Sequence, residues 1–133
     1  MHRTILLVYT GGTIGMKQDP DTLALKPFNF NQILEEVPEL RKFGCKIDTY
    51  SFDPLIDSSD VQPDFWIRLT SLIKENYEKY DGFVILHGTD TMSFTASALS
   101  FMFENLAKPV VLTGSQLPIG MLRTDGKENL ISS

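Results

Sequence analysis

Four short polar segments hold most of the groups in this chain that could do chemistry. They are Thr10-Gly11-Gly12-Thr13, Asp57-Ser58-Ser59-Asp60, His87-Gly88-Thr89-Asp90-Thr91 and Thr113-Gly114-Ser115-Gln116. In the first, Thr13 could act as a nucleophile, with backbone N–H groups of the glycine-rich turn nearby to receive an oxyanion. A threonine hydroxyl is a weak nucleophile and needs a neighbouring base. The adjacent Thr89 and Asp90 could therefore relay protons or orient a water. His87 could be a base, Asp57 and Asp60 could hold a substrate ammonium, and Ser115 and Gln116 could bind an amide.

Each segment also has a purely local reading. Gly11 and Gly12 can serve a tight strand exit by supplying positive φ. Asp90 can cap the following helix, Asp57 to Asp60 can form an Asx turn, and Ser115-Gln116 can be a polar loop. His87 can be a hydrogen-bonded structural residue. A dinucleotide reading of Thr10 to Gly15 ranks last, because Thr10 stands where the first glycine of G-x-G-x-x-G belongs. The acid expected about 20 residues onward is also misplaced, since the second strand is read as ending near Asp57.

The elements that must position these groups alternate along the chain. Ile5 to Tyr9 is a continuous apolar run stopped by glycines, which predicts a strand buried on both faces. Lys17 to Pro27 has no periodicity and is read as a mobile loop. Asn29 to Gln32 resembles a capping box for a short helix through Ile33, Leu34 and Val37 that Pro38 limits. Lys46 to Phe52 is read as a second strand. Pro63 opens a helix whose stripe runs through Trp66, Leu69, Ile73, Tyr77 and Tyr80. Gly82 to Leu86 is a third strand, and Ser93 to Leu106 a helix with Phe94, Ala98, Phe101 and Met102 expected to face the core. Pro109 to Thr113 is a fourth strand, and Asp125 to Ser133 opens another helix.

Strands alternating with helices predict an α/β fold with a parallel sheet covered on both faces. In such a sheet, ligands bind beyond the carboxyl ends of the strands. All four polar segments fall at that edge, which favours a built cleft over four unrelated turns.

Composition narrows the function classes. The 133 residues carry 12 Lys+Arg against 17 Asp+Glu, a net charge of −5 that leaves no basic surplus for a nucleic-acid footprint. No apolar run approaches the roughly 20 residues needed to cross a bilayer. The single cysteine, Cys45, excludes an internal disulfide and a multi-cysteine metal cluster. The N-terminus lacks the features of a secretory signal, so a cytoplasmic location is expected. The chain stops inside an apparent helix, and residues 1–133 are read as one domain, incomplete at its C-terminal end.

Taken together, Tyr9 to Met16, Asp57 to Asp60, Gly82 to Met92, Ser97 to Leu106 and Val111 to Gln116 resemble the bacterial-type L-asparaginases, especially their cytoplasmic type I branch. The resemblance implies a Rossmann/flavodoxin-like N-terminal domain of an enzyme that hydrolyses the side-chain amide of L-asparagine, with variable action on L-glutamine. It implies no cofactor, no metal, and a homo-oligomer at full length. By position it implies that Thr13 is the primary nucleophile and that Thr89 and Asp90 form the second triad. It further implies that Ser58 and Asp90 bind the substrate's carboxylate and ammonium, flanked by Asp57 and Ser59, and that Ser115 lies on the loop meeting the amide. Two features of the family pattern have no counterpart here. The triad lysine belongs after residue 133, and Thr22 to Lys26 stands where a loop tyrosine often assists the nucleophile. Two alternatives stay open: the amidase subunit of a tRNA-dependent amidotransferase, and a non-catalytic amino-acid-binding module.

Overall fold

The computed structural model describes residues 2–27 and 29–133. Strand β1 (Thr4–Tyr9) is a continuous run of apolar and aromatic residues from Ile5 onward, and its alternate side chains feed two separate cores. The 3-10 turn Thr13–Gly15 follows, and then strands β2 (Met16–Gln18) and β3 (Leu25–Pro27) pair antiparallel as a small hairpin. This hairpin replaces the irregular loop expected for Lys17 to Pro27. Three-residue strands are too short to show a period, and the turn is closed by main-chain bonds, Asp19 N to Ala24 O and Leu23 N to Asp19 O, both at 2.9 Å, with the Asp19 side chain bracing it. Asp19 Oδ1 accepts from Asp21 N at 3.0 Å and Thr22 N at 2.9 Å, while its Oδ2 accepts from Lys26 Nζ at 2.6 Å. The Lys17 ammonium pairs with Glu36 and ties the hairpin to helix α1 (Ile33–Glu36).

Helix α1 sits between 3-10 turns at Phe30–Gln32 and Pro38–Phe43, with Asn29 capping the first of these. Strand β4 (Lys46–Ser51) follows, then helix α2 (Pro63–Asn76) with Phe65, Leu69 and Ile73 buried at helical spacing. Strand β5 (Gly82–Leu86), helix α3 (Met92–Met102), strand β6 (Val110–Thr113) and helix α4 (Asp125–Ser132) complete the order.

The main sheet is wholly parallel, in the order β4-β1-β5-β6. One face, through Leu7, Tyr9 and Leu86, packs on Phe30, Ile33, Val37, Leu40, Ile119 and Leu130. The other, through Leu6, Val8, Phe83 and Ile85, packs on Phe65, Leu69, Ile73 and Leu99. Both faces are therefore covered, as expected of buried parallel strands. Chain direction switches between β1 and β5, because β4 lies outside β1 on one side and β6 outside β5 on the other. That switch leaves a crevice beyond the carboxyl ends of the two central strands.

Helix α3 differs from its sequence expectation. It stops at Met102, and it is rotated so that Thr95 and Leu99 are its buried residues. Phe94 is 65% and Phe101 88% exposed, Met102 is also exposed, and Ala98 is only half-buried. The helix is apolar around most of its girth, so hydrophobicity alone could not choose a face. The structure chooses Thr95 because its hydroxyl has buried partners, His87 Nε2 at 2.8 Å and Trp66 Nε1 at 3.0 Å.

Candidate active site

The strand exits are stapled to one another before any functional side chain is placed. Thr10 N and Oγ1 both donate to the Leu86 carbonyl, at 3.0 and 2.8 Å, joining the ends of β1 and β5. Ile56 N donates to Thr10 O at 2.8 Å, and His87 N to Thr113 O at 2.9 Å. All but the Thr10 hydroxyl bond join main chain to main chain, and such bonds fix position more strictly than side-chain contacts in solvent.

Two glycines allow the exits to approach so closely. A Cβ on Gly12 would lie 2.7 Å from both Cα and N of Gly88, and a Cβ on Gly88 would lie 2.4 Å from Ser58 Oγ. The turn carrying Thr13, the turn carrying Thr89 and Asp90, and the 3-10 turn Ser58–Asp60 therefore meet with no side chain between them.

A cleft of about 420 Å³ opens where they meet, a size suited to a small metabolite. Thr13, Asp57, Ser58, Thr89, Asp90 and Gln116 line it, together with Tyr9, Gly11, Gly12, Met16, Pro27, Leu55, Ile56 and Gly88. Of the residues singled out from sequence, Ser59, Asp60, His87 and Ser115 are not in that wall, and the exposed Asp60 is therefore not placed to hold a ligand there. Ser59 is exposed, and its N and Oγ donate to Asp57 Oδ1 at 2.9 and 2.8 Å. Those donors hold the Asp57 carboxyl below the usual carboxylate range. Ser115 is buried, and its hydroxyl donates to Leu117 O at 2.6 Å.

Asp90 does not cap α3. The residue at the cap position is Thr91, which makes no side-chain bond to the helix N–H groups and instead donates to Ser58 O at 2.6 Å. Asp90 lines the cleft beside Thr89. Gln116 Nε2 donates to the Thr89 hydroxyl at 3.2 Å, which leaves the hydroxyl proton free to point at another acceptor. Helix α4 holds the loop that presents Gln116. Gln116 N and Leu117 N donate to the two Asp125 oxygens at 2.9 and 3.0 Å, and Asn129 Nδ2 donates to Gly114 O at 2.8 Å. The same N–H donors lower the Asp125 pKa.

His87 lies beneath this floor rather than in it. Gly88 O, 2.6 Å from Nδ1, can only accept, so Nδ1 carries the proton and Nε2 accepts from the Thr95 hydroxyl. Thr95 in turn accepts from Trp66 Nε1. Burial pushes the His87 pKa down, and the residue is a neutral structural member rather than a base open to substrate.

Sequence reasoning about chemistry missed Tyr9, Leu55 and Ile56 as cleft residues. The signal that could have found Tyr9 is the phenol at the end of an otherwise apolar buried strand, since a buried hydroxyl needs a partner. Among the described residues no group of three or more His, Cys, Asp or Glu is arranged to hold a metal ion, and no helix is long and apolar enough to cross a membrane.

The chain is similar along nearly its whole length to several known proteins. L-asparaginase 1 of Escherichia coli K12 is 47% identical over 132 residues, covering 98% of this chain and 39% of that protein. The crystal structure of L-asparaginase I from Vibrio cholerae superposes with a TM-score of 0.89 at 49% identity, over 99% of this chain and 39% of that one. A probable cytoplasmic L-asparaginase from Campylobacter jejuni gives a TM-score of 0.80 at 32% identity, over 96% of this chain and 37% of that one. The chain thus spans well under half the length of these relatives. The asparaginase N-terminal family model matches residues 4–133, and the chain belongs to that family.

Proposed function

We propose that the whole protein hydrolyses L-asparagine to L-aspartate and ammonia through an acyl-enzyme on Thr13, and that residues 1–133 are its N-terminal α/β unit. The observation that carries this reading is the lining of one small cleft by Thr13, Thr89 and Asp90 together with Asp57 and Ser58. Asparagine presents an anionic carboxylate, a cationic ammonium and a neutral amide within that span. The Asp90 carboxylate suits the ammonium, and the Ser58 turn suits the carboxylate. Thr13 is left for the amide carbon.

Attack by the Thr13 oxygen forms a C–O bond and a tetrahedral carbon. The C–N bond then breaks, the nitrogen leaves as ammonia after taking up a proton, and water hydrolyses the ester to aspartate. Thr89 and Asp90 are assigned to move the proton, completed by a lysine from the rest of the whole protein. Ser59 is assigned to hold Asp57, and Ser115 to shape the loop that presents Gln116. By this reading the 133 residues alone have little or no activity. A cytoplasmic location and assembly into a homo-oligomer belong to the same proposal, as does some action on L-glutamine.

The test is ammonia release by the whole protein, with L-asparagine and L-glutamine side by side. Turnover of asparagine without any added tRNA is expected. Release that requires a charged tRNA would replace this reading with an amidotransferase, and binding without release would replace it with an amino-acid sensor.

A further inference from the structure

Tyr9 ends β1, and its side chain enters the core cluster that holds Phe30 and Ile14. It is 1% exposed, yet it forms part of the cleft wall beside Gly12 and Thr13. Its hydroxyl donates to the Gly12 carbonyl at 3.0 Å, and the same carbonyl accepts from Gly15 N at 3.3 Å. The ring is held from two sides. Phe30 stacks on it, with centroids 4.9 Å apart and planes 22° from parallel. On the other side, a Cβ at Gly15 would stand 2.1 Å from Tyr9 Cζ, so the missing side chain at that position is what admits the ring beneath the turn.

We infer that Tyr9 is a positioning residue for Thr13: its phenol pins the Gly12 carbonyl and so sets the peptide plane from which Thr13 projects into the cleft. This rests on the assignment of Thr13 as nucleophile. The turn has weak means of holding itself. Gly12 adopts φ +91° and ψ 167°, a region with no intrinsic preference for the bound conformation, and the turn that follows is only three residues long. A rigid external donor supplies the missing constraint. Burial pushes the phenol up to about 12, so it stays protonated and remains a donor wherever the enzyme works.

The experiment compares Tyr9→Phe and Thr13→Ala in the whole protein, with steady-state kinetics on L-asparagine and rapid-quench measurement of ammonia release. Tyr9→Phe keeps the ring, its stacking and the space at Gly15. It is expected to lower kcat about tenfold, through slower acylation, with KM changed by less than about twofold. Incorporation of 4-aminophenylalanine at position 9 restores an N–H donor and should recover most of the lost kcat. Unchanged kinetics in Tyr9→Phe beside an inactive Thr13→Ala would overturn the positioning role alone. A loss that 4-aminophenylalanine does not recover would reduce Tyr9 to packing. Turnover by Thr13→Ala would overturn the nucleophile assignment beneath it.

Discussion

Replacing Gly12 by alanine tests whether the close approach of the two central strand exits is real, and Gly44 provides its control. Both glycines have positive φ, +91° and +65°. They differ in surroundings. A Cβ at Gly44 meets nothing within 4 Å, so Gly44→Ala carries the left-handed penalty alone, about 1 kcal/mol. A Cβ at Gly12 meets Gly88 Cα and N at 2.7 Å and the His87 carbonyl carbon at 3.1 Å. Those are backbone atoms, and His87 N is held by Thr113 O at 2.9 Å, so no rotamer change relieves the clash. The Gly12 dihedrals also lie in a region that is almost exclusive to glycine, at about 1–3 kcal/mol for another residue. Overpacking adds about 1–3 kcal/mol. Denaturant unfolding of the two variants should therefore differ by about 1–5 kcal/mol, Gly12→Ala being the weaker. Its asparagine turnover should be lost, while that of Gly44→Ala is kept. Equal losses of stability would refute the steric reasoning and, with it, the juxtaposition of the Thr13 and Thr89 turns.

Asp90→Asn should raise KM and lower kcat together, because the carboxylate is assigned both to substrate and to the proton path; unchanged kinetics would remove it from the site. Leu69→Ala, at a fully buried position of α2, should cost about 2–5 kcal/mol in denaturant unfolding without altering KM. Stability should also fall on mild acidification. Burial depresses the His87 pKa below 6.5, so the unfolded chain binds more protons in the window just below that value, and folding free energy is lost as pH drops through it. Unfolding measured from pH 7 downward should show this slope, and His87→Asn should flatten it; an identical slope in the variant would assign the loss to carboxylates.

The parts of the fold legible in the sequence are those where one physical requirement dominates. β1 and β5 were readable because a strand buried on both faces needs an unbroken apolar run, and glycine marks its boundary in Tyr9-Thr10-Gly11 and Asp81-Gly82. The stripe of α2 was readable in part, at Leu69 and Ile73, because one side of that helix is polar; Phe65 rather than Trp66 is buried in its first turn, and Tyr77 and Tyr80 lie past its end at Asn76. The face of α3 was not, because a broad apolar arc runs from Phe94 and Phe101 round to Leu99 and the deciding residue, Thr95, is polar and buried for its hydroxyl. The β2–β3 hairpin was hidden because main-chain bonds at Asp19 and the bracing of its carboxylate, not a residue pattern, close it.

The candidate site divides in the same way. Thr13, Asp57, Ser58, Thr89 and Asp90 could be singled out because Gly, Thr, Ser and Asp collect where a parallel sheet must end. Ser59 and Ser115 share that composition, but their side chains serve neighbouring loop atoms, which composition cannot distinguish. Leu55 and Ile56 enter the cleft wall through tertiary approach, so no local feature marked them, whereas Tyr9 was marked only by its phenol at the end of an apolar strand.

The most direct measurement of the central claim is peptide mapping of the whole protein after acid quench with L-asparagine. An aspartyl ester on the peptide containing Thr13, absent from Thr13→Ala, is the expected result. Steady ammonia release with the ester on Thr89, or with none on either threonine, would contradict the assignment of Thr13.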